Sequence, residues 1–129
     1  MSCSGRVVSS DWLSVDRTGW NQDSVLTLHY SVPDTTATYR MLLYVRHTDM
    51  YPYQNMWLFL DNDTLEFYLA DDRGMWLGNG KNGLIEMPVL LEDGVQISSG
   101  EHTVSVRHGM RQESLRGVSD VGIVIEKTE

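Results

Sequence analysis

Apolar and polar residues alternate with a period of two over most of this chain, and turn-forming residues separate the alternating stretches. Such stretches occupy residues 25–32, 38–47, 55–60, 64–70, 101–108 and 121–126. A period of two places successive side chains on opposite faces of a strand. Helical periodicity is confined to a turn or two near residues 110–115. The pattern predicts an all-β, antiparallel sandwich of two packed sheets, with jelly-roll or immunoglobulin-like topology and that one short helical turn.

Three details refine this prediction. Residues 38–47 are apolar on both faces near their middle, which indicates a central strand. Residues 55–60 and 64–70 read as the two arms of a hairpin, and Trp57 lies in its apolar run, so we expect Trp57 in the core. Residues 78–83 are rich in glycine and asparagine and predict a flexible loop, since Lys81 is not followed by the Ser or Thr of a phosphate-binding loop.

A chain of 129 residues is long enough for one domain. We expect residues 1–19, including Trp12, to form an irregular tether and lead-in segment, and residues 20–129 to form a single sandwich. No run approaches the roughly 18 apolar residues of a membrane-spanning helix. Any contact with a membrane should therefore use another device.

The formal net charge is −8, and the 10 basic residues are scattered along the chain. Binding to nucleic acid needs a cationic patch that displaces counterions from phosphates, and the sequence offers none. We therefore expect no nucleic-acid partner.

Catalytic and metal-binding patterns are also missing from the sequence. The four histidines (His29, His47, His102 and His108) lack the spacing of a zinc helix and read as strand-end residues. Asp61, Asn62 and Asp63 offer oxygen ligands, but such residues also favour tight turns, and the remainder of a calcium loop is absent. We predict a protein that is not an enzyme, with no metal and no cofactor.

Cys3 is the only cysteine, so the chain can form no internal disulfide. It precedes the polar residues Ser4, Gly5 and Arg6, whereas a structural thiol would normally lie in an apolar strand. On its own, this position fits either the lipid-attachment residue of a bacterial lipoprotein or an incidental exposed thiol.

Aromatic residues near predicted turns suggest a binding surface. Tyr51, Tyr53 and Trp76 flank turns, and exposed aromatic rings on a sandwich stack on sugars or anchor protein partners. For Tyr51 and Tyr53, packing in the core is the alternative.

Several blocks of sequence together resemble the GldH lipoprotein family. The first is residues 46–55, which match the pattern R-x-x-x-x-Y-P-Y-x-N through Arg46, Tyr51, Pro52, Tyr53 and Asn55. Further blocks follow in family order at residues 63–66, 69–71, 74–80, 99–103, 110–111 and 117–123. Relatives often have a longer connection before the block at 63–66, where this chain has a minimal turn.

The resemblance implies a Bacteroidetes lipoprotein of the cell envelope, anchored through Cys3 at the periplasmic face or the outer surface. It implies a structural or adaptor component like those of the gliding machinery, with a membrane and other envelope proteins as partners. The alternative is a surface module that binds a glycan or a protein. Arg46, Tyr51, Tyr53, Asn55 and Trp76 form the candidate surface for a partner or ligand.

Overall fold

The computed structural model describes residues 6–128, and the predicted lipidation residue Cys3 lies outside them. Strands are the only helices or strands that the described residues form. These are β1 (Arg6–Ser14), β2 (Trp20–Asn21), β3 (Leu26–Val32), β4 (Thr38–His47), β5 (Asn55–Leu60), β6 (Asp63–Tyr68), β7 (Asn79–Lys81), β8 (Leu84–Val95), β9 (Gly100–His108), β10 (Ser114–Leu115) and β11 (Val118–Thr128). The prediction of an all-β antiparallel sandwich is confirmed.

Two antiparallel sheets make up the sandwich. The larger sheet has the order β1-β11-β4-β8-β7 and the smaller one β3-β9-β5-β6, while β2 and β10 form a short separate pair. The strand β4 lies in the centre of the larger sheet, as its apolar character on both faces predicted. The predicted hairpin is the pair β5–β6, which Asp61 and Asn62 close, with Asp61 at a φ of 49°.

The core lies between the two sheets and follows the alternation of the strands. In β11 Val121, Ile123 and Ile125 face inward, and Leu28 in β3 and Leu58 in β5 meet them from the smaller sheet. All five side chains are fully buried. Burial of this apolar surface, at about 25 cal/mol per Å², is the main stabilising term of the fold.

One side of the sandwich is closed by side chains instead of a continuous ladder. The backbone N–H of His29 in β3 donates to the Asp11 carboxylate at 2.8 Å, and that of Ser31 donates to the Ser9 hydroxyl at 3.0 Å. Both acceptors belong to β1, the edge strand of the other sheet. The edge of β3 is therefore covered, which removes a site where another chain could pair.

The expectation of an irregular segment over residues 1–19 is wrong for its described part. Arg6–Ser14 forms β1, which pairs with β11 along its whole length, with a bulge between Val7 and Ser9. The bulge interrupts the alternation of the sequence. A pattern of strictly alternating residues therefore does not predict this strand.

The glycine-rich loop predicted at residues 78–83 is also wrong, because Asn79–Lys81 forms β7 and pairs with the start of β8. Asn82 and Gly83 take positive φ angles of 55° and 82°, which is the conformation of a tight hairpin turn. The same residue types that suggest flexibility are those that a two-residue hairpin requires.

The short helical turn predicted at residues 110–115 is wrong as well. The chain bends at residues 111–113 and then pairs as β10 with β2. Backbone hydrogen bonds go to distant segments: Gln22 donates to the Glu113 carbonyl at 2.7 Å. Leu115 is fully buried, so its packing and this pairing outweigh the local helical preference. Residues 6–128 thus contain no helix that could cross a membrane.

Candidate functional site

The direction of the strands defines two ends of the sandwich. The strand β1 runs from Arg6 to Ser14. We call the end of the sandwich at Arg6 the Arg6 end and the end at Ser14 the far end. Because β1 and β4 both run antiparallel to β11, β4 also starts at the Arg6 end and finishes with His47 at the far end. The predicted motif, residues 46–55, therefore lies at the far end.

Tyr51 is a core residue, although the sequence left its role open. Its side chain is only 3% exposed, and its hydroxyl donates to the Asn55 carbonyl at 2.5 Å. Burial raises the pKa of Tyr51, so the hydroxyl stays protonated and keeps donating. Tyr51 thus fixes the path of the β4–β5 connection and offers no surface to a ligand.

His47 forms the centre of an aromatic cluster beneath that connection. Its side chain is completely buried, Nδ1 donates to the Thr48 carbonyl at 2.9 Å, and Nε2 has no partner among the described residues. The ring of Trp76 packs edge-on at 4.7 Å between centroids, and Tyr51 lies at 5.8 Å. Trp76 is therefore largely engaged in packing.

Arg46 lies on the outer face of the larger sheet, away from the other predicted residues. Its Nε donates to Glu86 at 2.8 Å, and its guanidinium lies 3.9 Å from the centroid of the Trp12 ring. Trp12 in turn lies flat on Gly122, where a Cβ atom would approach the indole to 2.4 Å. These contacts satisfy Arg46 within the chain, so it stabilises the sheet surface.

The remaining two predicted residues do meet, in a groove of about 320 Å³ at the far end of the smaller sheet. The groove is lined by Tyr53, Asn55, Trp57, Gly109, Met110 and Arg111. Of the predicted surface, then, Tyr53 and Asn55 are brought together, while Arg46, Tyr51 and Trp76 lie elsewhere.

The expectation that Trp57 lies in the core is wrong. Met56 and Leu58 on either side of it are fully buried, whereas Trp57 is 40% exposed and faces the groove. The alternation within this run was the signal that could have placed it, because only alternate residues of a strand face the core. Because every residue from 56 to 60 is apolar, however, the sequence does not show which set of alternate residues faces the core.

The floor of the groove is built where the β5–β9 ladder ends. Beyond His108 the chain turns away, but the Gly109 N–H still donates to the Trp57 carbonyl at 2.7 Å, and the Trp57 N–H donates to the Met110 sulfur at 3.2 Å. A Cβ atom at position 109 would approach the Phe59 ring to 2.8 Å. Glycine is therefore needed for this close approach.

Polar groups of both kinds surround the exposed indole. The Asn55 amide nitrogen donates to the Glu66 carboxylate at 2.9 Å, so the amide oxygen is not used in this contact and can accept. The guanidinium of Arg111 is exposed and forms no ion pair with any residue from 6 to 128. The groove thus offers an aromatic face, hydrogen-bond acceptors and a free cationic donor.

Among residues 6–128, potential metal ligands do not cluster, and one serine and one histidine lie close together. No group of three or more potential ligands occurs among the described residues. His102 lies near the Ser98 hydroxyl at 3.5 Å, but its Nε2 approaches the Ser98 carbonyl more closely, at 2.7 Å, and so carries a proton. That nitrogen cannot act as a base toward the hydroxyl.

The sequence resembles proteins of one family. Residues 7–125 match the family model described as GldH lipoprotein. The chain is 29% identical to the gliding motility lipoprotein GldH of Flavobacterium johnsoniae, with 99% of this chain and 89% of that protein covered. It is 28% identical to a GldH homologue of Christiangramia forsetii, with 99% and 88% covered. Among solved structures, dimeric latent PorU from Porphyromonas gingivalis aligns with 99% of this chain and 14% of its own, at 6% identity and a TM-score of 0.38.

Proposed function

This chain belongs to the GldH lipoprotein family, and from that membership we propose that it is a non-catalytic adaptor, anchored by lipid on Cys3, in a machine of the cell envelope. The relatives that it resembles are named for gliding motility, and the family is not a known enzyme family. Its partners in this proposal are the membrane at one end and other envelope proteins at the other.

The observation that carries the proposal is the separation of the two ends of the sandwich. Only Ser4 and Gly5 lie between Cys3 and the start of β1 at Arg6, so a lipid on Cys3 would hold the Arg6 end close to the bilayer. The motif residues 46–55 lie at the far end, roughly 30 Å away for a strand of nine residues at about 3.3 Å each. An adaptor needs this arrangement, because its partner surface must reach away from the membrane that holds it.

Exposed side chains at the far end fit a partner surface. Met50 in the β4–β5 connection is 58% exposed and Met75 is 65% exposed. Arg17 and Arg116 line a shallow depression beside Met50 and form no ion pair within the described residues. Methionine and arginine are enriched at protein interfaces, where they supply adaptable apolar area and strong hydrogen bonds.

The anchor is tested by replacing the cysteine. In the host, the full-length protein should partition into the membrane fraction and incorporate labelled palmitate, and Cys3→Ala should abolish both. The melting temperature of the soluble domain should stay unchanged. A loss of more than about 1 kcal/mol in Cys3→Ala would make Cys3 a structural thiol instead.

The adaptor role is tested by site-specific photo-crosslinking in intact cells. A photoreactive residue at Met50 or Met75 should yield adducts with defined envelope proteins. The matched control is the same residue at Gln96, an exposed position at the Arg6 end. Adducts of equal yield from both ends, or no adduct from the far end, would contradict the proposal.

A further inference from the structure

We propose that the groove around Trp57 binds one pyranose ring of a neutral glycan, stacked on the exposed indole and held by hydrogen bonds with Asn55 and Arg111 of the lining and with the neighbouring Glu66. This site is separate from the exposed methionines assigned to the adaptor surface.

The position of Trp57 is the first argument. It lies on the outward face of β5, directly opposite Glu66 in β6, where a polar residue would serve the fold equally well. Met56 and Leu58 supply the buried face of the strand, so the indole is not required for the core. An aromatic plane that is partly exposed on a rigid sheet, with a polar surround, is the geometry on which a flat apolar ring face can stack.

The polar groups around the indole identify the ligand class. Sugar hydroxyls both donate and accept hydrogen bonds, and both counterparts are present: the lining supplies the Asn55 amide oxygen as an acceptor and Arg111 as a donor. The Glu66 carboxylate, a further acceptor, lies beside the groove, opposite Trp57 and bonded to Asn55. An acidic peptide would face the Glu66 carboxylate. A purely apolar ligand would strip water from three polar side chains without replacing their hydrogen bonds, which costs about 1–3 kcal/mol for each buried group.

The size and rigidity of the groove agree with a single ring. Its volume of about 320 Å³ lies at the lower end of the range of roughly 300–1,000 Å³ for small-molecule sites. The Gly109–Trp57 hydrogen bond and the contact of Gly109 with Phe59 hold the floor in place without a ligand. A preformed site loses little conformational entropy on binding.

The test uses the purified soluble domain and a panel of neutral oligosaccharides of glucose, mannose, xylose and N-acetylglucosamine, titrated by calorimetry. At least one should bind saturably, with a Kd no weaker than about 1 mM. Trp57→Ala and Arg111→Ala should each weaken this binding about tenfold or more. Arg111 is exposed and its side chain makes no hydrogen bond or ion pair with any residue from 6 to 128, so Arg111→Ala remains informative even if Trp57→Ala disturbs the sheet.

The matched control is Tyr68→Ala, which removes an aromatic residue that is 56% exposed on the same hairpin but does not line the groove. It should leave the Kd unchanged. An equal loss in Tyr68→Ala, or no saturable binding by any sugar in the panel, would overturn the proposal. Binding of acidic peptides that Trp57→Ala abolishes, without any sugar binding, would also overturn it and assign the groove to a protein. These outcomes are independent of the far-end crosslinks, so the two proposals can fail separately.

Discussion

Gly117 joins three segments of the far end. Its N–H donates to the Arg17 carbonyl at 2.9 Å, and its carbonyl accepts from the Thr48 N–H at 2.7 Å. Its φ is +93°, and a Cβ atom there would lie 2.4 Å from the Tyr51 nitrogen. Both the backbone conformation and the contact with Tyr51 therefore require glycine.

Gly117→Ala should lower the free energy of unfolding by about 2–4 kcal/mol, because strain at a positive φ adds to a clash with backbone atoms. Gly74→Ala is the matched control, since Gly74 also has a positive φ, 81°, but a Cβ atom there would meet nothing within 4 Å. It should cost only about 1 kcal/mol. Urea denaturation measures both values, and equal losses would show that the contact with Tyr51 adds nothing.

Two buried histidines should make the stability depend on pH. Burial lowers the pKa of His47 and of His108 below the ordinary value of 6.5, so the unfolded chain takes up protons before the folded one does. The contribution of these two histidines to the free energy of unfolding should be constant above about pH 6.5 and should decrease as the pH falls below that value. Each histidine contributes a slope of at most about 1.4 kcal/mol per pH unit.

Urea denaturation between pH 7.5 and 5.5, about one unit to either side of the ordinary histidine pKa, measures this dependence. His47→Gln and His108→Gln should each flatten the curve, and the double variant should flatten it further. Because both variants also change packing, the slope with pH is the informative quantity. A slope unchanged in the double variant would assign the pH dependence to the carboxylates instead.

At the scale of elements, the ties between β1 and β3 decide how one side of the sandwich is protected. The N–H groups of His29 and Ser31 point away from β9 and donate to the side chains of Asp11 and Ser9. The intervening N–H of Tyr30 points toward β9, since successive backbone groups of a strand alternate in direction.

The double variant Ser9→Ala with Asp11→Ala should therefore speed hydrogen exchange at the His29 and Ser31 amides about tenfold or more. Exchange at Tyr30 should change far less, and this amide is an internal control. Each lost bond should cost about 0.5–1.5 kcal/mol of stability. Uniform acceleration across β3 would mean that the strand detaches as a unit and that the ties do not act locally.

The elements that sequence reasoning found and missed differ in how regular they are. The strands β4 and β5 were predicted with their observed bounds, because their apolar runs are continuous and turn residues flank them. The strand β8 was missed, since Pro88 and Gly94 interrupt its pattern. Pro88 pairs with Tyr44 of β4 but lies beyond the stretch Leu84–Glu86 that pairs with β7, so one of its two edges has no strand that needs an N–H.

At the scale of the whole molecule, sequence reasoning identified only two of the six residues that line the groove. Tyr53 and Asn55 are close in sequence, and a local motif identifies them. Met110 reaches Trp57 across 53 positions, through the pairing of β5 with β9, and no local pattern signals that contact. A site made by long-range strand pairing needs the register of the sheet, which alternation alone does not fix.

The orientation of the molecule on a membrane gives the last prediction. All four tryptophans lie well away from the Arg6 end: Trp12 is six residues along β1, and the other three lie at the far end. If Cys3 carries the lipid, their fluorescence in proteoliposomes should resist quenching by lipids with a quencher on the headgroup.

Gln96 is exposed and follows Val95, which pairs with Tyr39 at the level of Arg6. A tryptophan introduced by Gln96→Trp should lie close to the headgroups, so its added fluorescence should be quenched strongly. The same protein without the lipid should show no quenching at either end. Equal quenching of native and introduced tryptophans would mean that the sandwich lies flat on the bilayer, and the far end would then not be free to reach a partner.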